Sequence, residues 1–313
     1  MPDSPLEFPL KGPGGEPVDL WRIFISHGVA DLPPMRVDEA SRTFEVTLRV
    51  DGGGPRTVRV GAGRPGHGVI SILGRSPGRR ASDMVSAVRR MLRLDEDLSE
   101  FYVAISSDPE LAWASRGAGR MIRSPTVFEE VVKTICTTNC VWSATRRMVG
   151  ALVEHLGERA PGAPPMGWQG RAFPTPEAMA GASARFYRRV ARAGYRGAYL
   201  RSLARAVARG RIDLEALGRA SPDEISDEEV EARLKSLPGV GPYAAAHVML
   251  MLGRYSRLIL DSWTRPKYAR LLRRHAIADA VIARRFRKYG GYAGLAFWLF
   301  LTRDWVEEPP GAP

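Results

Sequence analysis

The chain has 313 residues, 44% of them hydrophobic and 26% charged, with a formal net charge of +12. That length can hold a large core in one to three domains, and the sign of the charge favours attraction to a polyanion. Two cysteines, Cys136 and Cys140, cannot close a tetrahedral zinc site or a four-cysteine iron–sulfur cluster. No apolar run approaches a membrane span, and the polar, proline-rich N-terminus is unlike a secretory signal. The expectation is a reduced, soluble, cytoplasmic protein. Arginine supplies nearly all the positive charge, the lysines being only Lys11, Lys133, Lys235, Lys267 and Lys288. A codon preference would give the same bias, so the sign of the charge informs and the choice of residue does not.

In chain order, Thr43–Val50 alternates apolar and polar positions with β-branched content and predicts a strand. Asp51-Gly52-Gly53-Gly54 predicts a turn, Thr57–Val60 its returning partner, and Gly68–Leu73 a third strand. Upstream, Ile25–Val29 reads as a strand-end turn. From Ala81 onward the period changes to 3.6, with Val85, Val88, Met91, Leu92 and Leu94 marking the first helix. Ala160–Pro176, rich in proline and glycine, is an exposed connector. The predicted class is α+β: an N-terminal domain with an antiparallel sheet over 1–95, then a mostly helical domain over 96–313.

The most telling stretch runs from Leu237 to Asp261, after a helix whose start is marked. Ser226 and Glu229 form a capping box for a helix carrying Val230, Leu234 and Leu237. A Leu-Pro-Gly-Val-Gly-Pro turn follows, and Pro242 suits the first turn of a second helix, which is apolar nearly all round to about Arg254. So short a turn, within a hairpin spanning 227–254, leaves backbone N–H groups exposed at a helix N-terminus, a site that favours phosphate. Leu258-Ile259-Leu260 then delivers Asp261 to the start of another helix. Asp261 reads as that helix's N-cap, as a reactive carboxylate beside the phosphate anchor, or as both.

Leu237–Asp261 resembles the hairpin, Gly/Pro-rich loop and aspartate signature of the helix-hairpin-helix (HhH-GPD) DNA glycosylase superfamily. Three further segments agree in order. Ser124–Glu129 leading into Cys136–Asn139 looks like the family's first long helix pair. Ala193-Gly194-Tyr195-Arg196 looks like the Gly-Tyr-Arg turn of the 8-oxoguanine branch, and Tyr289–Gly294 like the start of its last helix. The likeness covers roughly residues 85 to 305. It also places Ile25–Val29 where the family has a loop near the lesion pocket.

The resemblance implies an enzyme that flips a damaged base out of double-stranded DNA and hydrolyses its glycosidic bond. Asp261 would be the catalytic carboxylate, stabilising an oxocarbenium-like sugar and orienting water. Tyr243 stands where bifunctional relatives carry a Schiff-base lysine, which implies a monofunctional enzyme. The base pocket would draw on Tyr243, Trp263, Trp142, Phe297 and His247. Phe297 and Leu301 replace the glutamine and the aromatic residue of the 8-oxoguanine pocket. An aromatic set (Trp142, Tyr243, Trp263, Phe297, Trp298) suits an alkylated, cationic purine, as in 3-methyladenine DNA glycosylase II. About two of those five are expected to line the pocket and the others to be core. Leu237, Gly239, Val240 and Gly241 would hold the phosphate backbone. Asn139 would plug the gap or cap the next helix, and Tyr195 with Arg196 would wedge into the stack and contact the partner base.

No catalytic cofactor and no catalytic metal are expected, although a structural cation could sit on the hairpin carbonyls. A nucleoid-associated monomer is the expected form. The alternatives are a glycosylase for an oxidised or deaminated base and a non-catalytic lesion-binding protein.

Overall fold

In this computed structural model, residues 6–49, 53–74 and 81–305 are described. Alternation builds the sheet as read: β3 (Thr43–Leu48), β4 (Arg56–Ala62) and β5 (His67–Leu73) point Phe44, Val46, Val58, Val60 and Ile70 into the core. The register sets Phe44 opposite Val60, Val46 opposite Val58, and Val60 opposite Ile70, so the apolar side chains pack as cross-strand pairs. On the other face the Glu45 carboxylate accepts from Arg59 at 3.0 Å. The third strand starts one residue earlier than expected. The first ends at Leu48 rather than Val50, and residues 50–52 of the expected strand and turn lie outside the described residues.

Two edge strands were not legible: β1 (Leu6–Pro9) pairs with β5, and β2 (Met35–Asp38) pairs with β3. Each has four residues, too few to display a period. The antiparallel order is β1-β5-β4-β3-β2. Between β1 and β2, Asp19 caps α1 (Leu20–Phe24) by accepting the Arg22 N–H at 3.0 Å. Phe24 stacks on Phe44 with ring centroids 5.6 Å apart, which joins this helix to the sheet.

The helical part begins with α2 (Ala81–Met91) and α3 (Ser99–Ile105). It continues through α4 (Val127–Thr137), α5 (Trp142–Leu156), α6 (Pro176–Gly181), α7 (Ala184–Arg189), α8 (Arg196–Ala208) and α9 (Leu214–Arg219). It closes with α10 (Asp227–Lys235), α11 (Pro242–Leu252), α12 (Thr264–Leu271), α13 (Asp279–Phe286) and α14 (Ala293–Thr302). In α2 the buried stripe is Met84, Ala87, Val88 and Met91, with Val85 only half-buried. None of the described helices is long and apolar enough to cross a membrane.

Three helices are buried almost all round, α4, α11 and α14, and the first two pack against each other. In α4 even the charged residues are inside: Lys133 Nζ lies 2.7 Å from Glu129 Oε1, one turn apart, and both side chains are shielded from water. The capping box expected before α10 is half formed. Ser226 Oγ accepts the Glu229 N–H at 3.2 Å, but the Glu229 carboxylate turns outward to Arg233. What fixes α10 against α11 is Arg254. Its buried guanidinium donates to the carbonyls of Ile225 and Ala220, each at 2.8 Å, and to Asp227 Oδ1 at 3.1 Å.

Arg254→Met removes all three hydrogen bonds, leaving two part-buried carbonyls without a donor and Asp227 with only Ser256. It is expected to lower stability by about 3 kcal/mol or more, read as a lower urea midpoint at an unchanged slope.

Candidate active site

A cavity of about 1090 Å³ opens where α4, the N-terminus of α11, the loop before α12 and the turn after α1 converge. Its wall includes Asp261, which does two jobs. Oδ1 accepts the N–H groups of Trp263 at 2.8 Å and Thr264 at 2.6 Å, while the Asp261 N–H donates to Thr264 Oγ1 at 2.8 Å. The carboxylate thus caps the entry to α12 and is locked in orientation. Oδ2 has no hydrogen-bond partner among the described residues. The N-cap position itself falls on Trp263, so Asp261 holds the helix entry from two residues upstream while it also faces the cavity.

Facing the same cavity is a pair of histidines that the sequence separates by 220 positions. His27 Nδ1 accepts the Val29 N–H at 3.1 Å, so that nitrogen carries no proton. Neutral His27 must then be protonated on Nε2, which donates to His247 Nε2 across 2.7 Å. His247 in turn carries its proton on Nδ1, which is buried without a partner. Both rings are held neutral. Burial pushes His27 well below the ordinary histidine value, and His247 adds repulsion. Burial pushes His247 down to about 4, against the upward pull of Asp261. His27 lies in the segment placed near the pocket by family likeness, but its pairing left no signal in the sequence.

Aromatic side chains make one wall. Trp298 sits 4.8 Å from His27, 5.7 Å from Trp263 and 6.0 Å from Trp305, centroid to centroid. Its indole N–H donates to the Ser26 carbonyl at 2.8 Å and so holds the turn that carries His27. Tyr243 packs 5.0 Å from His247, and its hydroxyl lies 3.3 Å from Thr137 Oγ1. Burial raises the Tyr243 pKa, so the phenol stays protonated. Trp142 stands half-exposed at the rim and covers Gly28, where a Cβ would meet its ring at 3.3 Å.

Four of the five candidate aromatics therefore line the cavity, where two were expected, and Trp305 joins them. Phe297 does not. It is 0% exposed and packs on Tyr268 and Phe286, because it points about 100° around α14 from Trp298. Leu301 is likewise core.

On the outer rim Asn139 adopts a left-handed backbone (φ 47°), and its amide donates to Tyr195 Oη at 3.2 Å. It does not cap α5, whose N-cap is Val141. Tyr195 is 53% exposed and ready to reach outward. Arg196, expected to contact a partner base, is only 7% exposed. Its Nε donates to the Thr138 carbonyl at 3.0 Å, a second guanidinium nitrogen binds the same oxygen, and the group lies 4.6 Å over the Tyr195 ring. Arg196 positions the tyrosine and ties α8 to the end of α4.

The hairpin turn contributes donors rather than side chains. Leu237 and Val240 are buried anchors, and the Val240 N–H is used within the turn, on the Leu237 carbonyl at 3.2 Å. The N–H groups of Gly241, Tyr243 and Ala244 have no partner among the described residues, as a helix start requires. Gly239 has φ 81°, and a Cβ there would lie 2.7 Å from the Tyr199 ring, so glycine is needed twice over. The lysines that reach the cavity wall are both paired: Lys133 with Glu129, and Lys267 with Asp304 at 2.6 Å.

Because both histidines have folded pKa values below the unfolded one, the unfolded chain takes up protons first as the pH falls. Stability is expected to be full above about pH 6.5 and to decline toward pH 4, His247 alone accounting for about 3 kcal/mol. His247→Asn should make that decline shallower in urea titrations across the window. Gly239→Ala should cost about 1–2 kcal/mol from strain at positive φ, seen as a lower thermal midpoint.

No family model matches this sequence, and no curated protein matches it. Solved structures do. A 3-methyladenine DNA glycosylase from Archaeoglobus fulgidus superposes with a TM-score of 0.72 at 20% identity, covering 96% of this chain and 99% of that one. An 8-oxoguanine glycosylase/lyase from Clostridium acetobutylicum in its apo form gives 0.70 at 21% identity, again over 96% and 99%. The same enzyme bound to double-stranded DNA, with cytosine opposite 8-oxoguanine, gives 0.70 at 20% identity over 97% and 99%. Over nearly its whole length the chain has the α+β fold of the helix-hairpin-helix DNA glycosylases.

Proposed function

We propose that this protein is a monofunctional DNA glycosylase that hydrolyses the glycosidic bond of a flipped, alkylated purine. The observation that carries the reading is Asp261. Its carboxylate is oriented by two backbone N–H groups on one oxygen, has the other oxygen unengaged, and stands in a cavity walled by tryptophan and tyrosine. The base-excision chemistry named for the solved structures of this fold supports the broad activity, and their names differ on the lesion.

The residues suit that chemistry step by step. The free N–H groups at the start of α11 bind a phosphate of the damaged strand. Tyr195 and Asn139 occupy the space the flipped nucleotide leaves. As the bond from C1′ to the base nitrogen breaks, its electron pair leaves with the base and positive charge builds on the sugar, where the Asp261 carboxylate stabilises it. Water adds at C1′, and Asp261 accepts its proton. A base that is already cationic leaves as a neutral molecule, so no general acid is needed. The neutral histidine pair and the aromatic wall leave cation–π attraction as the means of holding such a base. A lyase step needs a free amine, and the cavity lysines are held in ion pairs.

The test is free-base release from a panel of duplexes bearing one lesion each: alkylated purine, 8-oxoguanine, uracil or hypoxanthine. Release from the alkylated duplex is expected, reduced about 10²- to 10⁴-fold in Asp261→Asn with DNA affinity retained. Borohydride should trap no covalent adduct. Release from 8-oxoguanine alone would overturn the pocket reading, and binding without release from any duplex would overturn the enzyme.

A further inference from the structure

A second cleft, of about 610 Å³, lies between α7 and α8. Its floor is small: Ala184, Gly194, Gly197 and Ala198, with Gly197 so close to Tyr187 that a Cβ would sit 2.8 Å from it. Its walls are cationic. Arg188 comes from α7; Arg201, Arg205 and Arg209 follow one another at four-residue intervals along α8 and beyond its end; Arg211 closes the far end. No Asp or Glu lines the cleft, and none of these five arginines has an ion-pair partner among the described residues. Arg201 Nε is buried and unpartnered. Elsewhere on the surface, by contrast, arginines such as Arg219 and Arg233 are neutralised by carboxylates 3.2 Å away or closer. Unpaired guanidinium groups along a groove have the chemistry of a phosphodiester backbone site.

The position says which strand. Helix α8 separates two openings. Tyr195 and Tyr199 face the catalytic cavity and the hairpin; Gly194, Ala198 and Arg201 face the cleft. The flipped nucleotide and its hairpin-bound phosphate occupy the first side, and Tyr195 stands at the divide. We infer that the α7–α8 cleft binds the phosphate backbone of the undamaged strand. This rests on the glycosylase reading and adds a second anchor to it. Spaced four residues apart, the α8 arginines rise about 6 Å from one to the next, which lets them follow a chain of phosphates.

Arg205→Gln/Arg209→Gln is the variant to test, since both side chains are exposed and their loss leaves the core intact. Binding to an undamaged duplex should weaken by about tenfold or more, and the slope of log affinity against log salt should become shallower by about one per arginine. Neutral methylphosphonate linkages placed in the undamaged strand, opposite the lesion, should weaken the wild type and leave the variant nearly unchanged. The same linkages in the damaged strand should weaken both equally. An unchanged salt slope in the variant, or a loss that couples to the damaged strand, would overturn the assignment while leaving the glycosylase reading intact. A wild type that binds no duplex would overturn both.

Discussion

Helix α11 has no polar face to give to water, and that constraint organises the helical half of the molecule. Residues 244–252 are all buried, so α4 and α10 must pack on it. A helix enclosed along its sides meets solvent only at its ends. At one end the chain leaves through Gly253 under the anchor of Arg254; at the other the glycine turn opens onto the cavity. The orphan N–H groups that every helix start exposes are therefore concentrated at the one place where this helix can use them. Tyr243 and His247, one turn apart, face the cavity for the same reason.

The cavity is built around a contrast of charge. Two imidazoles, which in water would share a proton with the solvent near neutrality, are dried out and forced to share a hydrogen bond, so neither can be a cation. Asp261 lies beside them with its carboxylate oriented by the backbone. A neutral aromatic wall with one oriented carboxylate at its edge favours positive charge placed between the two.

The hairpin, the helix after it, Asp261 and the main strands were legible because each rests on a local rule: a capping residue, a glycine at positive φ, or a period. What was not legible depends on which side of an element a neighbour happens to lie. Phe297 and Trp298 are adjacent in a continuous apolar run, so the run could not say which faces the cavity; packing puts Trp298 there and Phe297 in the core. Arg196 looked exposed because its turn is, yet the carbonyl of Thr138 draws its guanidinium inward. The bond from His27 to His247 joins the N-terminal part to α11, and no one-dimensional pattern carries a contact of that span.

The contact between Tyr199 and the bare Gly239 backbone has a mechanical meaning. Tyr199 stands one helical turn after the exposed Tyr195 and touches it edge to face. The hairpin turn and the exposed tyrosine are thus joined through packed rings rather than by a flexible loop. On the glycosylase reading, the two cannot be set at independent distances. A turn seated on a phosphate would present the tyrosine at one fixed offset along the duplex, so such a protein would inspect DNA with a gauge of constant length. Base steps that yield at that offset would be opened, and intact ones would push the whole unit back.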